Sequence, residues 1–376
     1  MILPVLLGAV LLFSTLAFAT TEQWALSIAQ CSIFALAIYC AVGGKLRFHI
    51  IALLPAGVAG LGVFQLAAGI TVYRFVTRNA AVNWAAYAAL LLVTLSALAD
   101  PDTGTRFRRV FLYTGFAIAI VSTAQYFTSN GSIYWMFPVQ SGRPFGPFIN
   151  PDHYAAFIEL LIPVGIYESL RDRKRPWIYA GMVGLLYGSA VASASRAGVA
   201  LATLEILAVP LVARRLAISG KLLAAVAVCA GIGAAVAGGD PIWRKFQQAD
   251  PFEYRREIAK STLQMIGQRP WSGFGLGTYA TVYPEFASFD IGRYVDHAHN
   301  DWAEWAAEGG IPALLLTVLL AVSSLRRVIG REWALGIHTV LLHSLVDFPM
   351  QIPAIAFLVF ALLGALYADS ARESWS

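Results

Sequence analysis

The sequence predicts an all-α polytopic membrane protein, with about twelve transmembrane helices and one long loop between the ninth and tenth spans. Three observations support this class. Of 376 residues, 58% are hydrophobic and 13% are charged, whereas a soluble domain carries about 25% charge. Apolar runs of roughly 20 residues recur along the chain. Basic residues cluster after every second run. A water-soluble globular protein is therefore excluded, and the whole chain, 1–376, is predicted to be a single transmembrane domain.

The apolar runs locate the spans. They are predicted at 2–19, 23–43, 50–69, 80–99, 109–127, 153–170, 177–194, 197–213, 221–238, 300–322, 333–348 and 352–369. The N-terminal run ends in Ala17-Phe18-Ala19, as in a signal peptide, but no basic segment precedes it. It is therefore predicted to be the first span rather than a cleaved leader.

The basic residues orient the spans. A basic cluster follows each of the second, fourth, sixth, eighth and tenth spans. These clusters are Lys45 and Arg47; Arg106, Arg108 and Arg109; Arg171, Arg173, Lys174 and Arg175; Arg214, Arg215 and Lys221; and Arg326, Arg327 and Arg331. Positively charged loops stay in the cytoplasm, so both termini are predicted to be cytoplasmic.

The long loop, 239–299, lies on the opposite, outer side. Within it, residues 255–266 show helical spacing of apolar side chains, and Pro270 ends the pattern. Glycines then recur at Gly273, Gly275 and Gly277, which predicts a series of turns. We expect an amphipathic helix that lies at the interface and covers the bundle.

Arginines accumulate on this outer side, and a guanidinium binds phosphate through a planar fork at any physiological pH. They are Arg143, Arg196, Arg244, Arg255, Arg256, Arg269 and Arg293. Arg196 stands in SASRAGVALATL, between two apolar runs. An ionisable residue there is a candidate functional group, although an arginine can also extend to the lipid headgroups for solvation alone.

The segment VDHAHNDWAEWAAEGG joins the long loop to the tenth span. His299 at this junction is a candidate general base, because a neutral imidazole can take a proton from a hydroxyl near neutral pH. His297 is a second candidate. Asp301, Glu304 and Glu308 share one helical face and either orient the imidazole or a sugar or favour the helix dipole.

Other polar residues have competing interpretations. His297 and His299 with a neighbouring aspartate resemble metal ligands, but the third ligand lacks a familiar spacing, so no metal is predicted. The Asp100-Pro101-Asp102 sequence falls in a cytoplasmic loop, away from the outer arginines. His153 begins the sixth span, as a cap or a functional group.

His343 and Asp347 are four residues apart near the outer end of the eleventh span. They are predicted to pair with each other on one helical face. Structural support and substrate contact remain equally open for this pair.

Together, these features describe a membrane cavity open to the outside, where arginines hold phosphate and a histidine acts as base. That combination fits glycan transfer from a lipid diphosphate, since arginines would stabilise charge on the leaving diphosphate. No ATP and no other cofactor is required, because the bond to the diphosphate is already activated.

The chain resembles the superfamily of bacterial O-antigen ligases and Wzy O-antigen polymerases. The matching segments are GRPFGPFINPDHYAAF, SASRAG, YRREIAKSTLQMIGQRPWSGFGLGTYATVYP, HAHNDWAEWAAEGGIPA and HSLVDF. They occur in the order of that family and span a ligase-like core at about 140–350.

The resemblance implies a GT-C-like, metal-independent, inverting glycosyltransferase in the bacterial inner membrane, with its long loop and active site on the periplasmic face. Its donor would be an undecaprenyl-diphosphate-linked glycan. Its acceptor would be lipid A–core for a ligase or a second glycan for a polymerase. No nucleic-acid partner is implied. His299 would be the base and Arg196 and Arg256 the diphosphate contacts, with Arg143 next and Arg255 as the alternative to Arg256. The supporting residues would be His297, Asn300, Glu304, His343 and Asp347.

The ligase pattern is His, then Asn, Ser or Gln, nine residues, Gly, two residues, and Gly, Thr or Tyr. His299, Asn300 and Gly310 match this pattern, whereas Ala313 departs from it. This departure weakens the prediction of a ligase relative to that of a polymerase. Protein O-glycosylation remains a further alternative. A rival of another class is an anion transporter of the bicarbonate type, but the paired broken helices typical of transporters are not evident in the sequence.

Overall fold

The computed structural model describes residues 2–139, 144–213, 226–229, 231, 253–289, 292 and 294–371. Three of the predicted outer arginines, Arg143, Arg244 and Arg293, lie outside the described residues. So do most of the predicted ninth span and the first part of the long loop.

The described residues are mainly helical. The first half contains α1 (Ile2–Leu16), α2 (Gln23–Val42), α3 (Leu53–Ala67), α4 (Arg74–Ala97) and α5 (Pro101–Thr128). A short antiparallel pair follows, β1 (Ser132–Ile133) with β2 (Phe137–Pro138). The second half contains α6 (Pro151–Arg171), α7 (Pro176–Ala192), α8 (Arg196–Val212), α9 (Glu253–Gln268), α10 (Tyr279–Val282), α11 (Asp301–Leu325), α12 (Leu335–His343) and α13 (Pro353–Ala371). Single 3-10 turns lie at Phe18–Thr20, Ile50–Ala52, Tyr283–Glu285, Arg326–Val328, Glu332–Ala334 and Pro349–Gln351.

Six helices among the described residues are long and apolar enough to cross a membrane. They are Gln23–Val42, Ile50–Ala67, Arg74–Ala97, Pro101–Thr128, Asp301–Val328 and Pro353–Ser370; Ile2–Leu16 and Pro176–Ala192 are shorter apolar helices. An all-α membrane protein is thus confirmed, while twelve spans and the long loop between the ninth and tenth remain predictions. The predicted eleventh span is shorter than expected, since α12 has nine residues and a helix needs about 20 to cross.

The centre of the bundle is formed by α6 and α13, whose side chains are buried almost all round. Two glycines allow backbones to touch here. A Cβ at Gly336 of α12 would overlap the carbonyl oxygen of Glu159 in α6, and one at Gly364 would lie 2.6 Å from the carbonyl oxygen of Leu91 in α4. By contrast, 28% of the apolar stretch of α5 is buried, against 83% for α13. The outer surface of α5 is therefore available to lipid.

The bundle has two ends, which we name by one residue each. At the Arg108 end, Arg108 of α5 pairs with Asp369 of α13 at 3.0 Å. At the His299 end, the backbone N–H of Met350, just before α13, donates to Asp301 of α11 at 3.0 Å. With a rise of 1.5 Å per residue, α13 separates these ends by about 28 Å.

The predicted amphipathic helix is confirmed as α9, and its buried residues Ile258 and Met265 pack with Phe274 over α11. Leu263, predicted on the apolar face, is instead exposed. The predicted turns follow, with positive φ at Gly273, Gly275 and Gly277.

These turns pack against a break in α11 at Gly310, where φ is 69°. A Cβ on Gly310 would lie 2.6 Å from the carbonyl oxygen of Trp271, and Ile311 N–H donates to the carbonyl of Pro270 at 2.7 Å. Glycine at this position is therefore required by positive φ and by close backbone approach. The break fixes the loop against the first turns of α11.

Candidate functional site

Three histidine rings surround Phe348 at the His299 end. His153 comes from the first turn of α6, His297 and His299 from the loop before α11, and Phe348 from the turn after α12. Their ring centroids lie 4.7, 4.4 and 5.0 Å from that of Phe348. We refer to His153, His297, His299 and Phe348 as the histidine cluster. It brings together segments nearly 200 residues apart, and Phe348 is a residue that sequence reasoning did not single out.

Within the cluster, Nδ1 of His299 lies 3.0 Å from Oδ1 of Asp347. Asp347 is buried, while about 30% of the His299 side chain is exposed. The other carboxylate oxygen, Oδ2, faces Nε2 of His153 at 3.9 Å. The predicted pairing of Asp347 with His343 is therefore wrong: Asp347 follows the end of α12 in a turn, and this turn directs its carboxylate towards His299.

The contact with Asp347 selects the proton positions on His299. An ionised carboxylate only accepts hydrogen bonds, so Nδ1 carries the proton and Nε2 carries the lone pair. His299 also has a φ of 50°, a left-handed conformation that costs a non-glycine residue about 1–3 kcal/mol. A strained backbone, a fixed tautomer and a partly exposed ring are together suited to general-base chemistry.

His297 has a different electrostatic environment. Its Nδ1 lies 2.8 Å from Oε1 of Glu304, and Oε2 of Glu304 accepts from the N–H of Ala298 at 2.7 Å. Burial lowers the pKa of His297, but the charge of Glu304 and the hydrogen bond with it outweigh burial and raise this pKa to about 9. His297 is thus a cation at neutral pH, which suits binding of an anion and does not suit a base.

The acidic stripe predicted on α11 is structural. Asn300 caps the helix by accepting from the N–H of Ala303 at 3.0 Å. Asp301 accepts from Met350, as described above, and Glu308 accepts from the N–H of Tyr279 at 2.9 Å. Both carboxylates are buried, so they do not reach a sugar. The expectation that the stripe orients His299 is also wrong, because Glu304 holds His297 and Asp347 holds His299.

A buried pair, His343 with Glu159, lies next to the turn that carries Asp347. Nδ1 of His343 is 2.8 Å from Oε1 of Glu159, and the two side chains are at most 1% exposed. The carbonyl of His343 accepts from the N–H groups of Val346 and Asp347 at 2.9 and 3.1 Å. Glu159 therefore anchors the residue on which the Asp347 turn is built. Sequence reasoning missed Glu159, although an acidic residue within an apolar span was a usable signal.

The structure gives Arg255 a contact beside the site, while the choice between Arg255 and Arg256 as the diphosphate contact stays a prediction. Nη1 of Arg255 donates to the carbonyl of Val346 at 3.0 Å, beside Asp347. Arg256 is exposed on the same helix. Arg269 instead donates to the carbonyl of Ile70 and stacks on Phe274, so its guanidinium serves packing.

Arg196 is the exposed first residue of α8. A Cβ on Gly198 would overlap the side chain of Ala155 in α6, so α8 begins beside the first turn of α6, at the His299 end. Ala194, just before this helix, has a φ of 56°. A second strained residue therefore lies close in sequence to a candidate site residue.

Other sequence motifs do not contribute to this site. Among the residues that the structure describes, no group of three or more His, Cys, Asp or Glu side chains is placed to hold a metal ion. Asp100 caps α5 by accepting from the N–H of Thr103 at 2.8 Å.

Comparison with known proteins supports the family resemblance. A family model described as O-antigen ligase (Wzy_C) matches residues 180–318, a range that includes Arg196, Arg255, Arg256 and His299. No curated protein matches the chain. The predicted resemblance to the O-antigen ligase and Wzy superfamily is thus confirmed, and the match supports an O-antigen ligase or polymerase type of membrane enzyme. Asp347, His153 and Glu159 lie outside the matched range.

Proposed function

We propose that this protein is an inverting membrane glycosyltransferase that transfers a glycan from an undecaprenyl-diphosphate carrier to an acceptor hydroxyl, with lipid A–core as the acceptor. The observation that carries the proposal is the 3.0 Å contact between His299 Nδ1 and Asp347 Oδ1, made by a partly exposed ring. The match to the O-antigen ligase family supports the reaction class.

In the proposed reaction, Nε2 of His299 takes the proton of the acceptor hydroxyl. The hydroxyl oxygen then forms a bond to the anomeric carbon, and the bond from that carbon to the phosphate oxygen breaks. The electron pair of that bond leaves with undecaprenyl diphosphate. Asp347 stabilises the imidazolium that forms, as a carboxylate does behind a catalytic histidine. A single displacement on one face of the sugar inverts the anomeric configuration.

The leaving diphosphate gains negative charge, and the cations at the His299 end would neutralise it. We assign this role to Arg196 and Arg255, with Arg256 and Arg143 as further contacts. His297 would contribute a second kind of donor, an imidazolium held by Glu304. Fixed positive groups placed where charge develops lower the barrier without rearranging during the reaction. No metal is needed for this neutralisation.

The proposed location is the bacterial inner membrane, with the site on the periplasmic face and both termini in the cytoplasm. The distribution of basic loops supports this orientation. It places the Arg108 end in the cytoplasm and the His299 end where lipid-linked glycans and lipid A–core meet.

A polymerase that joins glycan repeat units is the second candidate. Ala313 favours it, because this residue replaces the Gly, Thr or Tyr of the ligase pattern. In the structure Ala313 is fully buried against Gly309, so this position contributes packing and offers no polar group.

The test is glycan transfer by purified protein in lipid nanodiscs, with an undecaprenyl-diphosphate glycan as donor and EDTA present. Lipid A–core and a second donor molecule are offered as acceptors in separate reactions. We expect transfer to lipid A–core, and a loss of about 10²–10⁴-fold in His299→Ala. Arg196→Ala should also be impaired. His338→Ala, a buried histidine away from the cluster, is the control.

Other outcomes are distinguishable. Transfer only to a second donor molecule would identify a polymerase. Wild-type activity in His299→Ala would rule out the assigned base. If neither glycan acceptor is used, protein acceptors and then anion uptake into proteoliposomes decide between the remaining alternatives.

A further inference from the structure

The bundle contains a second feature, a groove between α1 and α5 with a volume of about 410 Å³. We propose that this groove binds one anionic glycerophospholipid, with an acyl chain between the helices and the phosphate at Arg106. The walls include Gly8 and Thr15 of α1 and Arg106, Thr114, Gly115 and Ile118 of α5. Phe157 and Leu358 form its floor.

Gly8 of α1 leaves space that belongs to the groove. A Cβ on Gly8 would meet no atom within 4 Å, so the groove reaches the backbone of α1 at this residue. On the other wall, Gly115 lets α5 approach Leu161 of α6 closely. A larger side chain at Gly8 would therefore fill part of the groove.

The lining is suited to hydrocarbon. Thr15 and Thr114 donate their hydroxyls to carbonyls of their own helices, Leu11 and Val110, at 3.0 and 2.8 Å. These hydroxyl donors are thereby satisfied within the helices and do not call for a polar ligand. A space of this size beside the bilayer favours an apolar occupant, since apolar surface is then removed from any water.

A single charged residue, Arg106, lies at one end of the described lining of the groove. Arg106 is exposed and is the only Lys, Arg, Asp or Glu among the described residues that line it. From Arg106 to Ile118 the groove follows α5 for about 18 Å, somewhat more than one leaflet of a hydrocarbon core about 30 Å thick. A guanidinium at one end of an apolar groove of this length can bind the phosphate of a lipid whose acyl chain lies in the groove.

The position of the charge indicates which leaflet supplies the lipid. Arg106 lies at the Arg108 end, opposite the proposed diphosphate site. A phosphate at Arg106 therefore belongs to a lipid from the leaflet at the Arg108 end, with its acyl chain extending along α5.

The experiment is native mass spectrometry of purified protein, titrated separately with phosphatidylglycerol, with phosphatidylcholine of identical acyl chains and with undecaprenyl phosphate. We expect wild type to retain one phosphatidylglycerol with at least ten-fold preference. Arg106→Gln should lose the headgroup preference, and Gly8→Leu should lose retention of both lipids. Arg173→Gln and Gly60→Leu are matched controls, because Arg173 is an exposed arginine at the same end and Gly60 also has open space at its Cβ.

A change in Tm or in gel-filtration behaviour would identify a folding defect in a variant. In that case Gly8→Ala, which fills less of the space, replaces Gly8→Leu and should weaken retention partly. Equal retention by wild type and a folded groove-filling variant would overturn the proposal. Equal binding of the two headgroups, or preference for undecaprenyl phosphate over phosphatidylglycerol, would overturn the assigned lipid class.

Discussion

Carboxylates at both ends of the bundle pair with basic side chains, but the basic residues differ. At the Arg108 end, Arg108 pairs with Asp369 at 3.0 Å and Arg109 with Glu168 at 2.8 Å. At the His299 end the partners of carboxylates are histidines, in His299–Asp347, His297–Glu304 and His343–Glu159. Arginine stays charged at every physiological pH, whereas histidine gains or loses its proton there.

This difference indicates two uses of the same kind of contact. Arginine–carboxylate pairs at the Arg108 end connect α5 to α13 and α6 permanently. Histidine–carboxylate pairs at the His299 end also hold segments together, and one of them, His299–Asp347, contains the proposed base. Measurements that separate stability from catalysis therefore test whether the two ends differ in function.

The largest expected effect is on Asp347→Asn. An amide no longer stabilises the imidazolium of His299, and we expect kcat for glycan transfer to fall by about 10²–10³-fold with little change in Tm. The matched variant at the other end is Asp369→Asn, which should lower Tm while folded protein keeps its kcat. Transfer rates and thermal unfolding of both variants test this, and equal losses of kcat would refute the distinction.

Arg255→Ala should have the next largest effect. It removes the cation beside Asp347, and loss of one charge-assisted contact corresponds to about 1.5–3 kcal/mol. We expect the KM for the lipid-linked donor to rise by roughly ten-fold or more. Arg256→Ala is the comparison, and steady-state kinetics with varied donor measures both. A larger effect from Arg256→Ala would favour Arg256 as the diphosphate contact, as the family resemblance implies. It would count against Arg255, which the contact with Val346 favours.

Glu159→Leu tests whether the buried pair with His343 supports the Asp347 turn. Removing one partner of a buried pair costs about 3–5 kcal/mol, so Tm should fall, and kcat should fall by roughly ten-fold with KM unchanged. Glu159→Gln keeps a hydrogen-bond acceptor for His343 and should recover most of kcat. If kcat per folded molecule is normal in Glu159→Leu, the pair contributes only to stability.

The smallest effect concerns pH and His297. Because its pKa is raised from 6.5 to about 9, the pair with Glu304 stabilises the fold fully below about pH 6.5. That contribution, on the order of 1–3 kcal/mol, is lost as pH rises through about 9. The Tm difference between wild type and His297→Gln should therefore shrink from pH 6 to pH 10, as followed by thermal unfolding in detergent. A constant difference would contradict the loss of the His297 proton within this pH range.

The sequence was sufficient to predict the membrane class and most helix positions, and to single out His299, Arg196 and Arg255 or Arg256 as candidate site residues. Long apolar runs leave a helix little alternative in lipid, because every backbone polar group must be satisfied internally. Residues 153–170, 177–194 and 300–322 accordingly coincide closely with α6, α7 and the first part of α11. The motif around His299 was local, so it was visible in one stretch of the chain.

Tertiary structure alone decided which partner each titratable group has. Helical spacing paired His343 with Asp347, but the end of α12 directs Asp347 to His299 and leaves His343 to Glu159, 184 positions away in the chain. Helical spacing likewise predicted that Asp301, Glu304 and Glu308 act as one stripe. In the structure each carboxylate has a different backbone or side-chain partner. Periodicity reports only neighbours on the same helix, and the chemistry of this site depends on contacts between helices.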